Sequence, residues 1–219
     1  MITLYAFAWV PEFAQGLVRD LRVRWALEEA GIPYDVKLIG RSEADSADYR
    51  KIQPWGQVPA IEEDGLVLFE SGAIVQLIAE RSENLMPRDP VGRAKGAQWL
   101  FAALNSVEPH VSNLTIIDLF HAEKDWAKAR RPEQEAFTRM KLASLARRLA
   151  GREWLEDRFT AGDLMMVTVL RNLRQTDIVT ADPVLGPYVA RGEARPAFQR
   201  ALADQLAAFD AHAPELAPA

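Results

Sequence analysis

Cysteine is missing from the sequence: none occurs among its 219 residues. This absence excludes disulfide bonds, cysteine-ligated zinc sites and any thiol nucleophile belonging to the protein. Histidine is scarce, and the three histidines show no ligand spacing with one another or with carboxylates. We therefore expect no bound metal, and any sulfur chemistry has to be supplied by a ligand.

Long apolar runs and a net positive charge are also missing. Even residues 164–170 fall far short of the roughly 20 apolar residues that a membrane helix requires. The formal net charge of −5 disfavours binding to the phosphate backbone of nucleic acids and to anionic membrane surfaces. The N-terminal residues, MITLYAFAWV, carry neither a basic leader nor a small-residue cleavage site. We expect a cytoplasmic protein with no nucleic-acid partner and no membrane association.

The first third of the chain alternates between strand and helix patterns. Residues 2–7 and 33–39 are rich in strand-forming residues and predict two strands. Between them, an apolar repeat every four residues over positions 15–31 predicts an amphipathic helix that Gly31 ends. A strand-helix-strand unit of this kind predicts two parallel strands in one sheet.

A hairpin and a second helix are predicted next. Short strand-like runs at residues 58–61 and 66–69 flank the pair Asp64-Gly65, which favours a hairpin turn because glycine tolerates positive φ. Residues 71–80 then predict a helix with one apolar face.

Strand patterns almost disappear beyond residues 83–90, a short segment that contains two prolines. Residues 93–121 predict a long helix with a kink or break at Pro109, because proline lacks an N–H and clashes with the preceding turn. The pattern therefore predicts an α/β domain over residues 1–82 and an all-α domain over residues 89–219.

The step Val58-Pro59 is the first of two motifs that suggest a binding site. A trans proline here is an ordinary strand start, where the loss of one N–H is tolerated. A cis bond would instead turn the N–H and C=O of Val58 outward and leave an edge on which an extended peptide can pair. The residues alone leave both readings open.

The pair Glu70-Ser71 is the second motif. Ser71 is a good N-cap, and the helix that it opens presents backbone N–H groups that suit a carboxylate. Glu70 beside it suits an ammonium group, so the pair fits the free end of an amino acid. A plain cap with a solvated acid is the alternative.

Joined, these motifs place a peptide-pairing edge one hairpin away from an amino-acid site, in a chain without a thiol. The stretch QPWGQVPAIEEDGLVLFESGAIVQLIAER, residues 53–81, resembles the glutathione-binding core of the glutathione S-transferase family. LRVRWALEEAGIPYDV resembles the first helix and second strand of that family, and REWLEDRFTAGDLMMVTVL resembles its C-terminal motif. The resemblance covers nearly the whole chain and implies a thioredoxin-like α/β domain followed by an all-α domain.

The resemblance implies a role for each residue that matches. Gln57 and Val58 would hold the backbone of glutathione, with Pro59, in cis, shaping that edge. Glu70 and Ser71 would bind the γ-glutamyl end. Glutathione would therefore be the co-substrate that brings the missing thiol.

Two further correspondences concern structure. Thr160 and Asp163 match the family's helix cap, and the loss of either is expected to reduce stability by about 1 kcal/mol. Gln53 stands where many members of the family have asparagine, a small departure within the loop.

The residue that activates the thiol is harder to identify. Many members place Ser, Tyr or Cys just after the first strand, but residues 8–20, AWVPEFAQGLVRD, contain none of these. Tyr5 lies nearby inside the strand, where a packed aromatic residue is the alternative interpretation. Gln15 and the backbone N–H groups at the start of the first helix are other candidates. Arg19 and Arg22 either add positive potential or are solvated.

Two classes of function follow. The first is an enzyme in which the glutathione thiolate attacks an electrophilic small molecule, in a pocket near Trp9, Phe13, Asn105 and Ser106; isomerase, lyase or peroxidase chemistry with glutathione is also open. The second is a binding or regulatory protein that keeps the fold and has lost catalysis. The family resemblance further implies a homodimer.

Overall fold

The computed structural model describes residues 1–214, and residues 215–219 of the predicted helical domain lie outside this range. The chain forms two compact units. Among the described residues, one unit contains residues 1–82 and 196–214, and the other contains residues 83–195. These units differ at the C-terminus from the predicted domains, 1–82 and 89–219, because the last helix packs with the N-terminal residues.

The first unit is built on a mixed sheet of four strands. The strands are β1 (Ile2–Phe7), β2 (Tyr34–Ile39), β3 (Ala60–Glu63) and β4 (Leu66–Phe69), in the order β2-β1-β3-β4. β1 runs parallel to β2, as predicted for the strand-helix-strand unit, and β3 is antiparallel to both β1 and β4.

The β3–β4 hairpin has the turn that the sequence predicts. Asp64 and Gly65 both have positive φ, 50° and 86°. Positive φ at both central residues is the mark of a turn whose twist matches the flanking strands. The Asp-Gly pair therefore sets the register of this hairpin.

Helix α1 (Asp20–Ala30) begins later than predicted. Residues 15–19 are not helical: a 3₁₀ turn at Glu12–Ala14 is followed by Gly16 with φ of 74°. The apolar repeat was misleading here, because apolar residues of the turn are partly buried without being helical. The end of the helix is correct, since Gly31 has φ of 65° and caps it in the left-handed conformation.

Three more helices complete the N-terminal part of this unit. Two short ones, α2 (Arg41–Ala44) and α3 (Tyr49–Ile52), were not predicted, because four residues carry no readable periodicity. The third, α4 (Ser71–Glu80), has the predicted bounds and buries Ile74, Val75 and Ile78.

Helix α10 (Pro196–Ala211) packs on α1. The rings of Trp25 and Phe198 meet edge to face at 4.9 Å. Below them, buried Gln205 donates to Asp20 Oδ1 at 2.8 Å, and Arg24 donates to Asp20 Oδ2 at 2.8 Å. Burial raises the pKa of Asp20, although both of these bonds act in the opposite direction. The C-terminal helix is thus joined to the start of α1 by apolar and polar contacts.

The second unit is helical. Its helices are α5 (Pro90–Phe101), α6 (Glu108–Phe120), α7 (Asp125–Leu149), α8 (Ala161–Leu170) and α9 (Leu185–Glu193), with a short 3₁₀ turn at Arg171–Leu173. α5 and α6 are joined by a π-helical segment, Ala102–Val107, instead of one continuous α-helix. The predicted break is present: Pro109 lies in the first turn of α6 and has no N–H to donate to the carbonyl of residue 105, with which its ring also clashes.

The start of α8 is held by a buried carboxylate. Thr160 and Asp163 form a capping box, in which the Thr160 N–H donates to Asp163 Oδ2 at 3.0 Å. The other oxygen of Asp163 accepts from the Leu155 N–H at 2.8 Å and from the Tyr188 hydroxyl at 3.0 Å. Burial raises the pKa of Asp163 to about 6, and the hydrogen bonds limit this rise. Asp163 therefore joins the start of α8 to the loop at Leu155 and to Tyr188 of α9.

Replacement of Asp163 by alanine should lower the free energy of unfolding by about 2–4 kcal/mol, since each buried donor left without an acceptor costs about 1–3 kcal/mol. This exceeds the value of about 1 kcal/mol expected for a simple cap. Equilibrium urea unfolding measures the change. The control is Asp157→Ala, at an exposed position in the preceding loop, with an expected effect within about 0.5 kcal/mol. Equal effects of the two substitutions would contradict this role for Asp163.

Candidate functional site

Three chain segments meet at one end of the sheet of the first unit. In the register of the sheet, Ala60 of β3 lies opposite Tyr5 of β1 and opposite Phe69 of β4. Because both pairings are antiparallel, the residues before Ala60, those after Tyr5 and those after Phe69 leave the sheet at the same end. The step Val58-Pro59, the loop after β1 and the pair Glu70-Ser71 are therefore neighbours.

The step Val58-Pro59 lies immediately before β3, and its peptide bond is cis. Val58 and Pro59 are buried, whereas Gln57 is exposed. The side chain of Val58 belongs to an apolar cluster that includes Tyr5 and Tyr49.

The loop that leads to Val58 is held from inside by Gln53 and Tyr49. The side-chain oxygen of buried Gln53 accepts from the N–H of Trp55 at 2.7 Å and from the N–H of Gln57 at 3.2 Å. The Tyr49 hydroxyl donates to the carbonyl of Gln57 at 2.8 Å, and burial raises the pKa of Tyr49. Sequence reasoning missed Tyr49, because no local pattern connects it to this loop. Gln53 makes both bonds with one amide oxygen, which asparagine also possesses.

Gly56 lies at the tightest point of this loop. Its φ is 64°, and a Cβ at this position would stand 2.8 Å from the carbonyl oxygen of Ala44. Gly65 in the hairpin also has positive φ, 86°, but a Cβ there would meet nothing within 4 Å. Gly56 is therefore required both for its positive φ and for the lack of space, whereas Gly65 is required for its positive φ alone.

Gly56→Ala should lower the free energy of unfolding by more than about 2 kcal/mol, because it combines a left-handed backbone with a collision. Gly65→Ala, which has only the backbone penalty, should cost about 1 kcal/mol. Thermal and urea unfolding of both variants measure the difference. Equal losses of stability in the two variants would contradict this prediction, because they would show that the loop around Gly56 can shift to accommodate a Cβ.

The pair Glu70-Ser71 begins α4 in a different way from that predicted. Glu70, with φ of 73° and ψ of 113°, occupies the N-cap position, and no side chain caps the helix there. Ser71 is the first helical residue, and its hydroxyl accepts a hydrogen bond from Arg22 Nη1 at 3.2 Å. The prediction of Ser71 as N-cap was wrong, because this contact from α1 holds its side chain.

The surroundings of this pair still suit charged groups. Ile74 is the first residue whose N–H bonds back within the helix, to the carbonyl of Glu70. The N–H groups of the first turn are thus directed to the helix start, where the dipole is positive. Glu70 is exposed, and non-glycine residues held at positive φ concentrate at functional sites.

The loop after β1 contains the weak candidates for thiol activation. Gln15 is half-buried, and its side-chain amide donates to the carbonyl of Val10 at 3.1 Å, so this amide closes the loop. Tyr5 is buried in β1, with its ring 5.6 Å from that of Tyr49. Burial, followed by its contact with Glu62, raises the pKa of Tyr5. The geometry favours the interpretation that Tyr5 is a packed aromatic residue of the core and does not activate the thiol.

The four predicted pocket residues divide between the two units. Trp9 and Phe13 are partly exposed in the loop after β1. Asn105 and Ser106 are exposed in the π-helical segment of the second unit. A pocket formed jointly by these residues stays a prediction.

Within residues 1–214, no group of three or more His, Asp or Glu side chains has an arrangement that could hold a metal ion. None of the helices in the same range is long and apolar enough to cross a membrane.

Comparison with known proteins gives the family. The model of the glutathione S-transferase N-terminal domain matches residues 21–81. Maleylacetoacetate isomerase of Rhizobium meliloti is 31% identical over 195 residues, which are 84% of this chain and 91% of that protein. The glutathione S-transferase-like protein gedE of Aspergillus terreus is 33% identical over 117 residues, so that the match spans about half of either protein, 51% and 52%.

A solved structure agrees with these relatives. The glutathione transferase of Burkholderia graminis, crystallised with two glutathione molecules bound per subunit, is 28% identical and has a TM-score of 0.79. The similarity covers 92% of this chain and 87% of that one. The chain belongs to the glutathione S-transferase family. The predicted fold class, a thioredoxin-like α/β domain with an all-α domain, is confirmed.

Proposed function

We propose that the protein is a glutathione-dependent transferase, in which the thiolate of bound glutathione attacks an electrophilic and predominantly apolar small molecule. The observation that carries this proposal is the sheet register around Ala60, which gathers three candidate binding segments at one end. Family membership supports glutathione as the ligand, and thiol chemistry in a protein without cysteine requires a thiol supplied by a ligand.

In this proposal, glutathione is bound by main-chain groups and charged groups at the end of the sheet where Val58 and Glu70 lie. Val58, with Gln57 and Pro59 beside it, pairs through its main chain with the cysteinyl unit, as in strand addition. The α-carboxylate of the γ-glutamyl end lies at the start of α4, where Ser71 and the first-turn N–H groups donate. Glu70 accepts from the ammonium group of the same end.

The thiolate lies near the start of α1, which the structure places at Asp20 and not at Gln15, and the positive end of the helix dipole stabilises it there. The N–H groups of Leu21 and Arg22 already donate to the carbonyls of Val18 and Arg19. Asp20 does not act as a free negative charge there, because Arg24 and Gln205 both donate to it. Lowering a thiol pKa from about 8.5 to about 6.5 requires about 2.7 kcal/mol, an amount that one or two charge-assisted bonds supply.

A titration of bound glutathione tests the proposal. Thiolate absorbance in the ultraviolet, followed against pH, should give a pKa about two units below that of free glutathione. Ser71→Ala should raise the Kd for glutathione about tenfold, whereas Glu80→Gln at the far end of α4 should leave it unchanged. Absence of binding at millimolar glutathione would refute the function, and binding with an unshifted pKa would favour the non-catalytic alternative.

A second candidate is glutathione-dependent isomerisation of a conjugated double bond. The near full-length match to a protein named maleylacetoacetate isomerase favours it. Addition of the thiolate, rotation about the resulting single bond and elimination would return glutathione unchanged. The two reactions are distinguished by the fate of glutathione with unsaturated diketone substrates: conjugation consumes it, and isomerisation does not.

We also propose that the protein is a cytoplasmic homodimer. β4 is an edge strand, and its consecutive residues Leu66 and Val67, which lie on opposite faces of the sheet, are both exposed. Apolar residues on a sheet edge are typical of a surface that a partner covers. Sedimentation velocity should give twice the mass of the chain, and Val67→Glu should shift the protein towards monomer. A monomer at all concentrations would exclude this assembly.

A further inference from the structure

Arg22 makes a contact whose function the family motif does not assign. It lies in the first part of α1 and is almost fully buried, with 3% of its surface exposed. Its Nη1 donates to the hydroxyl oxygen of Ser71 at 3.2 Å, across 49 positions of the sequence. The sequence left open whether Arg22 was solvated, and its burial excludes that interpretation.

The direction of this hydrogen bond restricts what Ser71 can do. A guanidinium has only donors, so the Ser71 oxygen has to be the acceptor. The single proton of the hydroxyl then remains for a different partner. In residues 1–214, the contact with Arg22 is the one hydrogen bond described for this hydroxyl, and Ser71 is buried.

Apart from the exposed carboxylate of Glu70, the polar groups described above at this end of α4 are donors. The hydroxyl proton of Ser71 joins the N–H groups of the first turn, and the helix dipole adds positive potential. A carboxylate accepts from every one of them. A carboxamide of similar size would place its own N–H groups against donors, leaving buried polar groups without partners.

We propose that Arg22 is a positioning residue for glutathione recognition: it occupies the acceptor side of the Ser71 hydroxyl and so commits that hydroxyl to donate to the α-carboxylate of the γ-glutamyl end. This inference rests on the proposed glutathione site. Arg22 acts through Ser71 and gives the site its preference for an anionic over a neutral terminus.

A double-mutant cycle tests whether Arg22 acts through Ser71. Arg22→Met should raise the Kd for glutathione about tenfold in the otherwise native protein. It should change the Kd less than twofold when Ser71→Ala is already present, because the hydroxyl that Arg22 orients is gone. Isothermal titration calorimetry measures binding, and kcat at saturating glutathione should stay constant while KM rises.

A comparison of two ligands distinguishes a role in recognition from a purely structural role, because a purely structural residue would not change the ratio of the two Kd values. The probe is glutathione whose γ-glutamyl α-carboxylate has been converted to the primary amide. The native protein should bind glutathione at least about 100-fold more tightly than this amide, and Arg22→Met should reduce the ratio about tenfold. Arg22→Lys, which keeps a cationic donor, should retain an intermediate ratio.

Arg81→Met is the matched control, since Arg81 caps the opposite end of α4 and pairs with Glu63. It should leave both the Kd and the ratio unchanged. Circular dichroism verifies the fold of each variant, and Arg22→Lys takes the place of Arg22→Met if the latter does not fold.

Equal effects of Arg22→Met with and without Ser71→Ala, or an unchanged ratio, would overturn the role of Arg22 and leave the glutathione site standing. Failure of the native protein to bind glutathione would refute the site itself, and with it this inference.

Discussion

The structure depends above all on the two pairings of β3. Ala60 lies opposite Tyr5 on one side and opposite Phe69 on the other. A slip of one residue in either pairing would turn every side chain of the strand to the opposite face. It would also move the step Val58-Pro59 away from Glu70-Ser71. The Asp-Gly turn fixes one register locally, and the pairing of buried residues such as Leu4 of β1 and Ile61 of β3 fixes the other.

Buried polar groups make this framework specific. Gln53 and Tyr49 hold the main chain before Val58, and Arg22 holds Ser71. Each bond gives a partner to a polar side chain whose burial would be unfavourable without one. The same principle operates in the second unit, where Asp163 accepts four hydrogen bonds from Leu155, Thr160 and Tyr188. In both units, polar side chains determine the position of a helix start or a loop, and apolar contacts supply the general packing.

Sequence reasoning succeeded where the signal is local and failed where it is not. The Asp-Gly turn, the end of α1 at Gly31 and the break at Pro109 follow from backbone preferences of single residues. The start of α1 was misplaced, because apolar residues recur at helical spacing in a turn that is not helical. The sequence predicts Ser71 as a cap, since serine before an apolar run usually is one, whereas its actual partner lies in another helix.

The sequence by itself determined the family, the order of strands and helices, and the absence of a protein thiol. These properties depend on residue types and on spacing along the chain. Only the tertiary structure decided that Arg22 reaches Ser71, that Tyr49 supports Gln57 and that Gln205 joins α10 to the start of α1. Such contacts join residues that packing brings together, in several cases from distant parts of the chain. No local sequence pattern specifies these contacts, because each depends on how the folded chain pairs its buried donors and acceptors.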